Sequence, residues 1–263
     1  INSVEDNFLR QMMWTEIWTM VYYGRYSYKK YYSMAINALQ VEQDPIILGK
    51  ILSSVSSERR GVRPIAFHDE KFGEQEKNEI RTKLYTIVKE RLRNAKAGSE
   101  SQKFLYSALV NLSEDKAELD YLVRILDGKT RFKGLTIDQD KRWQIVKVLN
   151  RFDHPMKNKK FDSEKKRDNS SRAQDAMIAI DAIDDKKSVK EKWITTYKNG
   201  TEKYSFSQLK QAIYNLFPLE QKKIKEEIFD DYLADIGPIN DTKDSHIATT
   251  FASAVPTTCS KEH

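Results

Sequence analysis

Residues 118–126 read Glu-Leu-Asp-Tyr-Leu-Val-Arg-Ile-Leu, and residues 143–152 read Trp-Gln-Ile-Val-Lys-Val-Leu-Asn-Arg-Phe. In the first, Leu119, Leu122, Val123 and Leu126 fall at i, i+3, i+4, i+7; in the second, Ile145, Val148, Leu149 and Phe152 do the same. At about 100° per residue each set lies along one side of a helix. The spacing recurs at Leu48, Ile51, Leu52 and Val55, at Ala176, Ala179, Ile180 and Ile183, and at Leu209, Ala212, Ile213 and Leu216. No stretch alternates convincingly with the period of two that a half-buried strand needs.

Composition agrees with that reading. The 263 residues are 39% apolar and 11% aromatic, enough for a packed core and against wholesale disorder. Nine glycines and six prolines are too few for the many turns of a sandwich or barrel. Start signals sit where the stripes begin. Asp44-Pro45 places a capping acid before a first-turn proline, and Ser99…Gln102, Thr136…Gln139 and Ser205…Gln208 have capping-box spacing. Helices are therefore expected over, among others, 3–23, 114–127, 137–151, 218–236 and 241–254, with 57–73 and 152–169 irregular. The fold class expected is all-α: a degenerate helical-hairpin solenoid of the HEAT/armadillo kind with about twelve helices, residues 1–263 forming a single helical-repeat domain. A compact orthogonal bundle has the same periodicity.

The net charge of +6 matters less than its distribution. Residues 157–172 carry seven bases against three acids, and residues 226–244 carry seven acids against Lys243. The basic stretch lacks the interleaved aromatic readers of a nucleic-acid face, so no nucleic-acid partner is expected. No apolar run approaches the roughly 18 residues that span a bilayer, so no membrane span is expected. Cys259 is the only cysteine, which excludes an intrachain disulfide and a Cys-rich zinc site and fits a reducing, cytoplasmic setting.

Catalytic chemistry is missing from the sequence. His68, His154, His246 and His263 include no pair at the i, i+4 spacing that sets two imidazoles on one helix face for zinc. His68-Asp69-Glu70 has no second histidine nearby, and no nucleophile elbow or phosphate-cradling glycine loop occurs. No catalytic residue, metal ligand or cofactor is expected in this chain. The opening helix stands out instead. Trp14, Ile17, Trp18 and Val21 form one stripe, and Tyr22, Tyr23, Tyr26 and Tyr28 follow. An aromatic core seam explains the stripe, whereas the tyrosines extend beyond it. Trp18, Tyr22, Tyr23 and Arg25 are the candidates for peptide contact, since aromatic rings give large contact area at small entropic cost.

Gly134-Leu135-Thr136-Ile137-Asp138-Gln139-Asp140-Lys141-Arg142-Trp143 resembles a turn-then-helix signature, Gly-Leu-Thr, spacer, Asp-Gln-Asp, spacer, Arg-Trp. That signature belongs to the carboxy-terminal helical domain of aminopeptidase N family zinc metallopeptidases, including the endoplasmic-reticulum aminopeptidases. Read physically, Thr136 can cap the helix, and Asp138 stands four residues before Arg142 for an ion pair. Asp138, Arg142 and Trp143 are thus the expected structural motif. Further matches follow in order. Asp168 to Ser170 precede a helix of small residues, Ala173, Ala176, Ala179 and Ala182. Asp184 and the stretch from Lys187 to Trp193 come next, with Asp184 where the family has proline. Phe217 with Gln221, and Phe251 with Pro256 and Cys259, close the series. Upstream, Arg10, Trp14, Trp18 and Met20, then Glu42 and Asp44, resemble the family's opening run, with Thr19 where aspartate is usual.

The resemblance implies a parent enzyme that removes amino-terminal residues from peptides with one zinc ion, a metal-activated water and a glutamate base. This chain would be its lid and substrate-channel module, truncated on the N-terminal side and separated from an upstream catalytic domain. The zinc belongs to that domain, and the partners implied are peptide substrates and the catalytic domain itself. The competing expectation is a freestanding helical-repeat adaptor that binds a protein on its concave face.

Overall fold

The computed structural model describes residues 1, 3–57, 62–68 and 73–257, without the side chains of residues 65, 67 and 68. Among these the chain is all-α, with fourteen α-helices, one 3-10 turn at 201–203 and no strand. No helix among them is long and apolar enough to cross a membrane. By contacts the chain divides into two compact units, Ile1–Ile137 and Asp138–His263.

The first unit holds α1 (Asn7–Tyr22), α2 (Tyr28–Val41), α3 (Pro45–Ser56), α4 (Val62–His68), α5 (Glu74–Asn94), α6 (Glu100–Leu112) and α7 (Lys116–Leu126). Helices α3 and α5 both pack on α6, and α1 packs on α2, α3 and α4. Leu39, Leu48, Ile51, Val88, Leu109 and Leu122 are among the fully buried side chains, each worth about 1.5–3 kcal/mol relative to exposure. In α7, Leu119, Leu122 and Leu126 are buried as expected, but Val123 is half-buried and Ile125 takes its place. The stripe is turned by about 40° from the expected one. The start signals hold in part. Asp44 accepts from the Ile46 and Ile47 amides, and Ser99 accepts from Gln102 N. The Gln102 side chain bonds Gly98 N and Lys133 O, so it ties the 128–136 loop to the start of α6.

The second unit holds α8 (Gln139–Arg151), α9 (Lys157–Arg167), α10 (Ser171–Ile183), α11 (Lys187–Asn199), α12 (Phe206–Asn215), α13 (Lys222–Thr242) and α14 (Ser245–Ala252). Helix α10 packs on α8 and α12, and α13 packs on α11 and α14. Its core gathers Trp193, Tyr197, Leu209, Ile213, Tyr232 and Phe251. At α12 both halves of the expected capping box form, Ser205 with the Gln208 amide and Gln208 with the Ser205 amide.

Four expectations need correction. The stretches 57–73 and 152–169 contain helices, α4 and α9. Helix α9 has no apolar stripe. Phe161 lies 6.0 Å from the Trp143 ring, and Glu164, only 1% exposed, takes both arms of Arg142. Tertiary contacts make this helix, and local periodicity could not announce it. Helix α8 starts after Asp138, whose carboxylate accepts from Lys141 N at 3.0 Å; Thr136 is not the cap. Finally, no break separates 218–236 from the residues after it. Helix α13 runs through Gly237 and Pro238 to Thr242. A proline inside a helix costs about 3 kcal/mol. Here Pro238 is exposed, so water can reach the released carbonyl, while Tyr232 and Ile239, seven residues apart, are buried on either side of it.

Candidate functional site

The sequence-derived candidates cluster at the end of α1. Asp6 caps the helix by accepting from Leu9 N at 2.7 Å. Trp14 is 1% exposed and meets Tyr31 edge-on at 5.6 Å, so it belongs to the core. Trp18 is half-buried, 6.1 Å from Tyr31 and 6.2 Å from Tyr22. Tyr22 and Tyr23 are 66% and 67% exposed and meet edge-to-face at 5.3 Å. Arg25 is exposed beside them. The structure thus brings Trp18, Tyr22 and Tyr23 into one aromatic ladder, with its outer rungs in solvent. The same helix exposes Phe8, Leu9, Met12 and Met20, so it is apolar on the face turned away from its own core as well.

The upstream family-like residues are coupled. Arg10 donates through Nε and Nη2 to the two oxygens of Glu42, at 3.2 and 3.1 Å. Glu42 in turn accepts from the Gln43 and Asp44 amides, and Asp44 caps α3. Arg91 donates to the Leu39 and Glu42 carbonyls at the end of α2. Burial pushes the Arg91 guanidinium below its ordinary value, against the pull of the Glu42 carboxylate.

The signature residues are structural in the same sense. Gly134 has φ +77°, and a Cβ there would lie 2.5 Å from Gly98 N and 2.8 Å from the Ala97 carbonyl carbon. Only glycine fits, because both the backbone conformation and the space exclude a side chain. Arg142 binds Glu164, and Asp138 binds Lys141. The Trp143 indole donates to Asp168 Oδ2 at 2.9 Å, and Asp168 Oδ1 accepts from Ser170 N at 3.0 Å. Burial pushes the Asp168 carboxyl up, but the Ser170 amide and the Trp143 indole outweigh it and hold the group below the usual carboxylate range. Trp143 also walls a cavity of about 400 Å³ with Asp140, Lys147, Arg172 and Ala176. Arg142 and Trp143 therefore anchor α8 to α9 and to the loop before α10, while Asp138 caps α8 itself.

One concavity carries no signal in the sequence. A groove of about 1580 Å³ runs along α5, closed at one side by Gln40, Gln43 and Pro45 and at one end by Ser99, Glu100 and Ser101. Its floor is the polar face of α5, from Gln75 to Asn94. An exposed polar helix face gives no sequence signal beyond solubility. The neighbouring α2–α3 turn and the start of α6 make it concave.

Two other polar features are structural. Lys190, 0% exposed, donates to the Ala182 and Ile183 carbonyls at 2.9 and 3.4 Å, where α10 ends. Burial lowers its ammonium to about 7, opposed by Asp184, Asp185, Glu220 and Asp181. His154 is buried with Nδ1 accepting from Met156 N, and His246 packs on the Phe206 ring. Among the described residues no three His, Cys, Asp or Glu side chains gather as a metal site. The side chain of His68, Asp69, Glu70, Cys259 and His263 lie outside the described residues. Comparison with family models and with curated proteins yields no match to the chain.

Proposed function

We propose that this chain is the helical lid and substrate-channel module of a zinc-dependent aminopeptidase of the aminopeptidase N family, acting in a reducing compartment such as the cytoplasm. The observation that carries this reading is the ordered series of family-like residues from Arg10 to Phe251. They are also the residues that fasten the two units internally: Arg10 to Glu42, Gly134 against Gly98, Arg142 to Glu164 and Trp143 to Asp168. In this reading zinc, its activated water and the glutamate base belong to a catalytic domain of the same polypeptide. The module limits access to the cleft and supplies a wall that peptides touch. Two tests bear on it. The gene should encode an H-E-x-x-H motif upstream in the same reading frame; a gene without one sinks the proposal. In the full enzyme, Tyr22→Ala, Tyr23→Ala or Arg25→Ala should alter KM for peptides while sparing a single-residue reporter. Wild-type behaviour of all three removes α1 from the channel.

The second reading, a freestanding adaptor, is favoured by one observation. The outward face of α1, with Phe8, Leu9, Met12 and Met20 exposed, is more apolar than a solvated helix needs. An independent start codon near Ile1 would select it.

A further inference from the structure

Helix α1 carries two seams. Arg10, Trp14, Ile17 and Val21 follow at steps of four, three and four, and this seam faces the unit's own core, with Trp14 and Val21 buried. One residue to the side, Leu9, Met13, Glu16, Met20 and Tyr23 follow at steps of four, three, four and three. Leu9, Met20 and Tyr23 are 48%, 40% and 67% exposed, Glu16 is exposed and Met13 is half-buried. Helices α2, α3 and α4 pack on α1 and leave this second seam open. Alternating steps of four and three drift by only about 20° per heptad, so the outer seam keeps to one side of the helix over about 21 Å. A narrow apolar seam of that repeat and length is the shape a second helix fills, at a crossing angle near about +20°.

Polar groups decide which helix that is. The Thr15 and Thr19 hydroxyls, between the seam residues in sequence, donate to the Gln11 and Thr15 carbonyls at 2.9 and 3.0 Å, so neither needs an outside partner. The Glu16 carboxylate, at the middle of the seam, pairs with no cation among the described residues. A cover that reaches Leu9 and Met20 also takes water from Glu16, and a desolvated carboxylate without a partner is costly. A second copy laid seam on seam in full overlap would set Glu16 against Glu16, in parallel or antiparallel order. An anionic lipid surface would meet the same charge. A lysine or arginine opposite Glu16 removes the cost. We infer that the outer seam of α1 docks an amphipathic helix of a partner protein, apolar at the same four-three spacing and carrying a lysine or arginine opposite Glu16. The inference goes beyond the two functional readings above and does not depend on which of them holds.

The charge at the centre of the seam is the test. A fluorescent synthetic helix about three heptads long, with a leucine seam at this spacing and lysine at its central position, is titrated by anisotropy with the intact 263-residue chain. A second peptide differs only in having glutamate there. The lysine peptide should bind about tenfold more tightly than the glutamate peptide. Glu16→Lys should reverse that order, which adhesion through apolar surface alone would not do. The double variant Leu9→Gln, Met20→Gln should weaken the lysine peptide by about tenfold or more, with unchanged circular dichroism. Should the double variant lose helix, the reversal by Glu16→Lys decides alone. Equal affinity of the two peptides, no reversal, or no binding of the lysine peptide up to about 1 mM overturns the inference. So does binding that a folded double variant leaves intact, because the peptide then sits elsewhere. A wild-type chain that sediments as a dimer, and as a monomer with the double variant, overturns it in favour of a second copy. The upstream-motif test decides the lid-module reading separately.

Discussion

The chain places aromatic residues in two contrasting ways. In the second unit, Tyr232 stacks on Phe251 at 4.1 Å and 8°, Tyr197 lies 5.4 Å from Phe251, and Trp193 is buried beside them. Each polar tip there is used: Tyr197 Oη donates to the Leu209 carbonyl, Tyr232 Oη to the Phe251 carbonyl, and Trp193 Nε1 to Asp181. At the end of α1 the arrangement is open. The Trp14 indole N–H is buried without a partner, and Tyr22 and Tyr23 spend most of their surface on solvent. Both regions are aromatic-rich in sequence. What separates core from contact surface is whether backbone carbonyls and carboxylates meet the hydroxyls and indoles, because a buried aromatic with a polar tip needs a partner.

The contrast can be tested by substitutions of decreasing effect. Phe251→Ala removes the stacking partner of Tyr232 and the centre of the second core. It should cost about 3–5 kcal/mol in urea unfolding, and a loss under 1 kcal/mol would deny that this cluster is the core. Arg142→Ala leaves the Glu164 carboxylate buried and unpaired, and about 3 kcal/mol should be lost. Arg142→Ala, Glu164→Gln should recover part of it. Per pH unit, a smaller effect attaches to Lys190. Its folded-state value of about 7 lies below the ordinary one near 10.5, so the unfolded chain holds more protons between those limits. The penalty of burying the ammonium is complete below pH 7 and is relieved as pH rises toward 10. The stability of wild type relative to Lys190→Met should therefore increase over that window, by at most about 1.4 kcal/mol per pH unit. A flat difference would mean that the amine is not desolvated. The smallest effect belongs to Tyr23→Ala, which should change stability by less than about 0.5 kcal/mol because the ring contributes little burial.

The helices with an apolar stripe were legible, and so were the caps at Asp44, Ser99 and Ser205, because these signals are local. The cap of α8 was misplaced by two residues because Thr136 and Asp138 are both competent caps, and local spacing does not choose between them. Helix α9 was illegible, since Arg142 and Trp143, about twenty residues away in sequence, are what order it. The helix end expected at 236 fails for a related reason: local propensity cannot see Ile239 buried beyond Pro238. For the candidate site, excess aromaticity pointed to Tyr22 and Tyr23. The α5 groove did not register, because polar side chains at helical spacing are what any solvated face displays.

The way α9 is held has a consequence for how the chain opens. An eleven-residue helix that meets α8 through the Phe161 ring and the Glu164 carboxylate and buries no apolar stripe has little cooperative support, and local opening there costs less than global unfolding. It also carries exposed Lys159, Lys165, Lys166 and Arg167. Brief trypsin treatment should therefore nick the chain within α9 first, well before the buried second core is lost. Its amides should exchange with deuterium ahead of those of α10. Raised salt, which screens the Arg142–Glu164 pair only weakly because Glu164 is buried, should hardly hasten the cut.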